Sequence, residues 1–190
     1  MKKNPEDKRE RIIHAAMELI AENGFHASPT SLIAQNAQVG TGTIYRHFEN
    51  KDKLIEEIYK QLDQRLVKAL FAHDSEELPV RERFIRILTA CMNYMLRYPD
   101  EFKFWDQYYN SPYGIEKKRK ELSSHYEPMN QLMNYAKSQH IVKNLDNKVL
   151  LAIGFGPILY LFKDYLAGLL DWDEELIGNV VAACWDGLKR

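Results

Sequence analysis

The sequence contains little cysteine and no excess of charge of either sign. Its two cysteines, Cys91 and Cys184, stand far apart and form no CxxC motif. This spacing argues against a zinc ribbon, a redox pair or a disulfide scaffold, and no HExxH or paired histidine spacing predicts another metal site. The 26 basic and 27 acidic residues give a net charge of −1. Any binding of DNA therefore has to come from a local arrangement of residues.

The sequence also lacks an apolar leader and a long apolar run. Residues 1–11 are mostly charged, so a secretory signal is not expected. The longest uncharged stretch that is also mostly apolar, residues 149–162, has 14 residues, which is short of the roughly 20 needed to cross a bilayer. The sequence thus predicts a cytoplasmic protein with no membrane partner.

The chain has no sustained alternation of apolar and polar residues of the kind that half-buried strands show, which predicts an all-α fold. Proline and glycine separate segments of helix length. The predicted helices cover about 5–23, two short segments between residues 28 and 50, 51–72, 79–98, a polar segment from 115 that is kinked at Pro128, 145–170 and 174–189.

Residues 28–54, SPTSLIAQNAQVGTGTIYRHFENKDKL, carry the clearest functional pattern of the chain. They predict a helix, a short turn and a second helix, and a helix of this width fits the major groove of DNA. Gly42 has no Cβ, so the backbone can approach DNA closely there. The solvent face of the second helix, with Tyr45 at its flank, carries Thr41, Thr43, Arg46 and His47. An ordinary helical hairpin with exposed polar residues is the alternative interpretation.

This segment resembles the DNA-binding head of the TetR family of bacterial transcriptional regulators. The resemblance covers residues 10–58 and is only architectural beyond them; it rests on Phe25, Ile33-Ala34, Val39, the run GTIYRHF at 42–48, Lys51, Lys53 and Leu54. It implies about nine helices, with a three-helix head over 1–50, a helical body over 51–190 that binds a small molecule, and a linking helix at about 51–72. In such proteins the last two helices form a dimer through a four-helix bundle.

The resemblance also implies which residues contact DNA. They are Thr30, Ser31, Thr41, Gly42, Thr43, Tyr45, Arg46, His47 and Lys51. Arg46 is the best candidate to read a base, because a guanidinium can bond to O6 and N7 of guanine together. Tyr45, His47 and Lys51 are expected on phosphates, which position the protein but do not specify sequence.

The chain departs from the family pattern at two positions of the head. Gln38 stands where the turn usually has glycine, so a left-handed conformation is expected there at a cost of roughly 1 kcal/mol. Thr41 stands where a basic residue is common. Residues 1–54 hold eight Lys or Arg, including Lys2 and Lys3, against seven Asp or Glu, which predicts a shallow salt dependence of DNA binding.

Eight aromatic residues between positions 94 and 113 have two interpretations, plain core packing or a ligand pocket. The predicted pocket residues are Tyr94, Phe102, Trp105, Tyr108, Tyr109 and Phe155. Asp106 either pairs with a lipophilic cation, helped by cation–π contacts, or faces water. Gly154, Gly156 and Pro157 weaken the helix around Phe155, which indicates either a bend that shapes the pocket or close helix packing.

Small residues near the end of the sequence predict a dimer face, because they let two helices approach closely. The predicted face consists of Leu169, Ile177, Gly178, Val181, Ala182 and Trp185.

Together with the resemblance, these features predict a homodimeric, ligand-responsive repressor. It would leave a near-palindromic operator when a small hydrophobic or cationic molecule binds, and an efflux or transport gene is the expected target; activation instead of repression stays open. No nucleophile–base pair, paired carboxylates or metal spacing predicts an enzyme, and no cofactor is expected. The alternatives are an all-α ligand-binding protein or enzyme without DNA binding, and a helical protein that binds a membrane surface or a partner.

Overall fold

A computed structural model of the chain describes residues 5–113 and 127–190. These residues form nine α-helices, which confirms the predicted all-α fold. The helices are α1 Pro5–Asn23, α2 Thr30–Asn36, α3 Thr41–His47, α4 Lys51–Leu70, α5 Val80–Arg97, α6 Pro99–Tyr109, α7 Glu127–Ser138, α8 Asn147–Leu166 and α9 Glu174–Leu188. Residues 115–126 of the predicted polar helix, which precede its predicted kink at Pro128, lie outside the described residues, and so do Lys2 and Lys3.

The helix ends follow local signals in the sequence. α1 ends before Gly24, whose φ of 75° is the left-handed C-terminal conformation that glycine adopts without strain. Asn50 caps α4, since its side-chain oxygen accepts a hydrogen bond from the backbone N–H of Lys53 at 2.9 Å. Asp173 caps α9 in the same way, accepting from Leu176 at 2.8 Å.

The chain divides into two compact units. Unit 1 comprises Met1–Arg65 and Tyr98–Leu122, and unit 2 comprises Leu66–Arg97 and Ser123–Arg190. Unit 1 thus contains the predicted head together with most of α4 and the whole of α6. The physical reason is that α6 packs along α1, which brings an element from the middle of the chain onto the head.

The core of unit 1 is built on α1, whose apolar stripe buries Ile12, Ala16 and Ile20 completely. Other large buried side chains come from α2, α3, α4 and α6, and they include Ile33, Ile44, Leu54, Ile55, Ile58 and Phe104. Burial of each such side chain contributes roughly 1.5–3 kcal/mol. The three-helix head therefore depends on apolar contacts with α4 and α6.

The core of unit 2 lies where α5, α8 and α9 pack together. Phe84 of α5 is fully buried, and its ring centroid lies 6.5 Å from that of Phe155 and 5.7 Å from that of Trp185. Gly154 of α8 leaves room for Phe84, because a Cβ at this position would lie 2.8 Å from Cζ of the ring. Gly154 therefore serves close helix packing, one of the two interpretations that the sequence allowed.

α8 is long and apolar enough to cross a membrane, and it is the one helix in the described part of the chain that passes this test. Its 20 residues include Lys148 and Lys163, so the length argument from the uncharged stretch 149–162 was wrong. Only 22% of its apolar segment is buried within the chain. A single such helix is weak evidence for a membrane span, and exposed residues such as Leu159 and Tyr160 equally suit a partner helix.

Candidate nucleic-acid interface

The α2–turn–α3 segment has the helix, short turn and helix that the sequence predicts. The turn covers residues 37–40, and the backbone N–H of Val39 donates to the carbonyl of Ala34 at 2.9 Å. The N–H of Thr43 donates to the carbonyl of Gly40 at 2.8 Å and starts α3. Gln38 has a φ of 53°, so the left-handed conformation expected from the sequence is present.

The outward side of α3 carries most of the predicted DNA contacts. Ile44 is the buried residue of this helix and fixes which side faces inward. We call the exposed residues the reading face, and they are Thr41, Gly42, Tyr45 and Arg46. Half-buried residues border it, namely Thr43 and His47 on α3 and Thr30 on α2, while Ser31 at the start of α2 is exposed.

The reading face offers a cation, an aromatic hydroxyl and an open approach. The side chain of Arg46 is exposed, and Tyr45 is 53% accessible although it is a large aromatic residue. A Cβ added at Gly42 would meet nothing within 4 Å, so packing within the chain does not require glycine there. A small residue at this position instead allows another molecule to come close to the backbone of α3.

Lys51 lies differently from the other predicted contacts. Its Nζ donates a hydrogen bond to the carbonyl of Phe25 at 2.5 Å, across the turn that follows α1. Desolvation by burial lowers the pKa of this ammonium. In this structure Lys51 therefore ties α4 to the end of α1 and is engaged inside the protein, not free on the predicted surface.

The predicted pocket residues do not form one cluster within either unit. Phe102, Trp105, Tyr108 and Tyr109 lie on α6 in unit 1, whereas Tyr94 of α5 and Phe155 of α8 belong to unit 2. Tyr59 of α4 stacks on Tyr108 with ring centroids 4.4 Å apart and lies 5.1 Å from Trp105. Because Trp105 and Tyr108 are 8% and 2% accessible, core packing describes these two residues.

Sequence reasoning missed two buried carboxylates near this aromatic cluster. Asp63 of α4 and Glu101 of α6 are 3% and 5% accessible, and Arg65 forms an ion pair with Glu101 at 3.0 Å. The hydroxyl of Tyr59 lies 3.5 Å from Oδ1 of Asp63. Tyr59 and Asp63 stand four residues apart, next to the apolar stripe that contains Ile58 and Leu62. This spacing could have predicted that α4 buries a wider face than its apolar stripe alone.

The predicted cation partner, Asp106, is half-buried, and Asn110 donates to its carboxylate at 3.1 Å.

A surface depression of about 430 Å³ lies elsewhere, in unit 2. It is lined by Lys137, His140, Val142, Lys143, Asn144 and Arg190, none of which the sequence singled out. Nζ of Lys143 donates to the carbonyl of Gly187 at 2.5 Å in the last turn of α9. A cation at a helix C-terminus is stabilising in itself, so this contact has a structural role.

The predicted dimer residues fall into two groups. Leu169 is 77% accessible, Gly178 and Ala182 are exposed, and Ile177 is half-buried. Val181 and Trp185 are 2% and 5% accessible, and Trp185 packs on Phe84. These two residues belong to the core of unit 2 and were wrongly placed on an outer face, because they point to the side of α9 that meets α5 and α8. The exposed apolar residues of α8, which the prediction omitted, are Val149, Leu159 and Tyr160.

Two family models match the chain, and together they cover most of it. Residues 12–58 match the family described as "Bacterial regulatory proteins, tetR family". Residues 79–189 match the family described as "Tetracyclin repressor-like, C-terminal domain". The first match contains the whole α2–turn–α3 segment with its reading face.

One individual protein is similar over part of the chain. The fatty acid metabolism regulator protein of Bacillus subtilis (strain 168) is 34% identical over 79 residues, which is 42% of this chain and 41% of that protein. The chain thus matches less than half the length of this relative.

Solved structures extend the similarity over the whole fold. A TetR family transcription regulator from Marinobacter aquaeolei VT8 superposes with a TM-score of 0.87 at 20% identity, covering 100% of this chain and 99% of that chain. The transcriptional regulator FadR from Bacillus subtilis, in complex with stearoyl-CoA, gives 0.78 at 23% identity over 94% and 98%. At these identities the superpositions show a shared fold only.

Proposed function

This chain belongs to the TetR family of bacterial regulatory proteins, and from that membership we propose that it is a homodimeric repressor released from its operator by a small molecule. It is a transcriptional regulator with a DNA-binding amino-terminal domain. The single observation that carries the proposal is the exposed reading face on α3, within the segment that matches the family. The proposed site of action is the cytoplasm, where a bacterial operator lies.

In this proposal α3 enters the major groove and Arg46 reads a guanine. The exposed guanidinium has the donor geometry for O6 and N7 of guanine, and such a pair is worth roughly 1–3 kcal/mol of discrimination. Tyr45 and His47 contact phosphates from either side of Arg46, and Ser31 and Thr30 do so from α2. Gly42 lets the sugar–phosphate backbone approach the start of α3.

The proposed dimer places α8 and α9 against the same helices of a second copy. Support comes from the exposed apolar side chains Leu159 and Tyr160 on α8 and Leu169 after it. Ala182 and Gly178 leave the exposed side of α9 nearly without side chains, which permits close helix approach. A two-fold dimer presents two reading faces, so the operator is expected to be a near-palindrome with half-sites about one helical turn apart.

The proposed effector is a small hydrophobic or cationic molecule. The FadR protein with a related fold is described in complex with stearoyl-CoA, which supports a long acyl chain as one candidate class. Phe102 and Tyr109, which are half-buried on the same helix as Asp106, support a lipophilic cation as the other class. An effector lowers DNA affinity only by its differential affinity for two states of the protein, typically ~1–3 kcal/mol. An efflux or transport gene is the proposed target, and the proposal includes no catalytic reaction.

The experiment that tests this function is selection of bound duplexes from fragmented genomic DNA by the purified protein. Enrichment of one near-palindrome by the wild type, lost in Arg46→Ala while the dimer persists, supports the proposal. A long-chain acyl-CoA and the lipophilic cation tetraphenylphosphonium are then added separately to the protein–operator complex. Release by one and not the other assigns the effector class, and failure to select any duplex contradicts the DNA-binding part.

A further inference from the structure

The reading helix α3 has little packing of its own. It has seven residues, and Ile44 is its one buried member. A helix of this length is not stable in isolation, because two turns of hydrogen bonds do not offset the loss of chain entropy. The direction in which α3 presents Arg46 therefore depends on what holds its two ends.

The N-terminal end of α3 is held through the preceding turn by an arginine of α1. Nη2 of Arg11 donates to the carbonyl of Gln38 at 3.0 Å and also to the carbonyl of Ala37. These carbonyls follow the last turn of α2, where no intrahelical N–H is available to them and where a cation is favoured. One guanidinium thus joins two consecutive carbonyls of the turn, one of which belongs to the left-handed Gln38.

The C-terminal end of α3 is held by a second arginine of α1, two positions earlier in the chain. The guanidinium carbon of Arg9 lies 5.2 Å from the ring centroid of Phe48, the residue that follows α3. Nη2 of Arg9 also forms an ion pair with Glu57 of α4 at 2.9 Å. The hydrogen bond from Arg9 is the main cause that lowers the pKa of Glu57 below its usual value. Arg9 thus links the residue after α3 to α1 and, through Glu57, to α4.

We propose that Arg11 is a positioning residue for DNA recognition: it holds the strained turn at Gln38 and so sets the direction of the reading face, while Arg9 holds the other end. Arg11 acts through the backbone of the turn, to which its Nη2 donates, and the proposal assigns it no direct contact with DNA. The inference rests on the proposed DNA-binding function. It also explains why this chain tolerates a residue other than glycine at position 38, because Arg11 stabilises the conformation that glycine would adopt without strain.

The test is a double-mutant cycle between positions 11 and 38, measured on the full-length protein with the selected operator and with random duplex. Arg11→Gln is expected to lower operator affinity about tenfold and random-duplex affinity by less than about twofold. Gln38→Gly is expected to restore operator affinity in the double variant to within about threefold of the wild type. Glycine adopts the left-handed turn without the guanidinium, and the exposed side chain of Gln38 loses no packing when it is removed.

Lys8→Gln is the matched control, because it removes one positive charge from the same helix without touching the turn. It is expected to weaken operator and random duplex alike and to be unaffected by Gln38→Gly. If Arg11→Gln melts below the assay temperature, Arg11→Lys replaces it. That variant keeps the charge but loses the guanidinium fork, and we expect an operator loss of about threefold that Gln38→Gly reverses.

Three results would overturn the assignment. Equal losses on operator and random duplex, with no rescue by Gln38→Gly, would make Arg11 a direct phosphate contact. A loss of operator affinity in Arg11→Gln that is no larger than the loss in Lys8→Gln would remove the positioning role. If Arg11→Lys is the variant used, wild-type operator affinity in that variant would remove it too. A wild type that selects no duplex would instead refute the proposed function itself, so the two failures are distinguishable.

Discussion

The hydroxyl of Tyr113 donates a hydrogen bond to Oδ1 of Asp52 at 2.7 Å, joining the segment after α6 to the first turn of α4. The ring of Tyr113 lies 5.2 Å from that of Phe25, which follows α1. Lys51, next to Asp52, holds the carbonyl of the same Phe25. Three parts of unit 1 that are distant in sequence are thus joined at Phe25, two residues after the end of α1.

Tyr113→Phe should destabilise the protein and change its behaviour in alkali. Burial and the bond to Asp52 raise the pKa of Tyr113 to about 12, above the value near 10 of an unfolded tyrosine. The wild type should therefore lose stability as the pH rises from about 10 towards 12, because the unfolded chain releases this proton first. Denaturant unfolding should show a loss of roughly 0.5–1.5 kcal/mol for the variant at pH 7 and a smaller difference from the wild type at pH 11. A constant difference across that range would contradict the assigned bond.

Arg46→Ala should lose sequence discrimination while the fold persists. The guanidinium is exposed, so its removal leaves no cavity, and the expected loss on the operator is roughly 1–3 kcal/mol. Arg46→Lys is the matched control, since it keeps the charge without the bidentate donor pair. Fluorescence anisotropy should show both variants weakened on the operator, with only the alanine variant weakened on random duplex. If Arg46→Lys keeps the operator affinity of the wild type, residue 46 contacts a phosphate and does not read a base.

DNA binding should depend only weakly on salt. The head is nearly neutral, with eight basic and seven acidic residues over 1–54, and Lys51 and Arg9 are engaged within the protein. We expect the plot of log K against log salt to have a slope no steeper than about −4 for the dimer, since each phosphate contact contributes about −0.9. A titration between low and physiological salt measures this slope. A value near −8 would show that more cations reach the DNA than the described surface offers.

Gly154→Ala and Gly156→Ala should have opposite effects on stability, although both lie in α8. A Cβ at Gly154 would sit 2.8 Å from Phe84, so overpacking should cost roughly 1–3 kcal/mol. A Cβ at Gly156 would meet nothing within 4 Å, and the gain in helix propensity should stabilise by roughly 0.5–1 kcal/mol. Thermal unfolding of both variants checks the pair. Destabilisation by Gly156→Ala would mean that another molecule covers this position.

Leu159→Asp should convert the dimer to a monomer. Leu159 is 42% accessible on α8, and a carboxylate there would be desolvated against the second copy without a partner. Tyr135→Asp is the control, because Tyr135 of α7 is an exposed aromatic residue outside the proposed interface. Sedimentation at micromolar concentration should give a monomer for the first variant and a dimer for the second. Dimers from both would move the interface away from α8.

The features predictable from the sequence were those that depend on neighbouring residues. The reading face and the cap at Asn50 each follow from residues within a few positions of one another, whereas the left-handed Gln38 was expected from the family resemblance. The packing of α6 on α1 was not predictable, because it joins segments about eighty residues apart and no local pattern marks it. Val181 and Trp185 were misplaced for a related reason, since helical periodicity identifies an apolar face but not what covers it.

The association of α6 with α1 limits how this protein can be recombined with its relatives. A fragment ending with α4 would leave Phe104 behind and expose the side of α1 on which α6 packs. Exchanging heads between regulators by a single crossover after α4 would join an α1 from one parent to an α6 from another, with unmatched side chains at their contact. A chimera that transfers operator specificity intact should therefore take both the head and α6 from the same parent. The unit that has to be transferred consists of two separate segments of the chain.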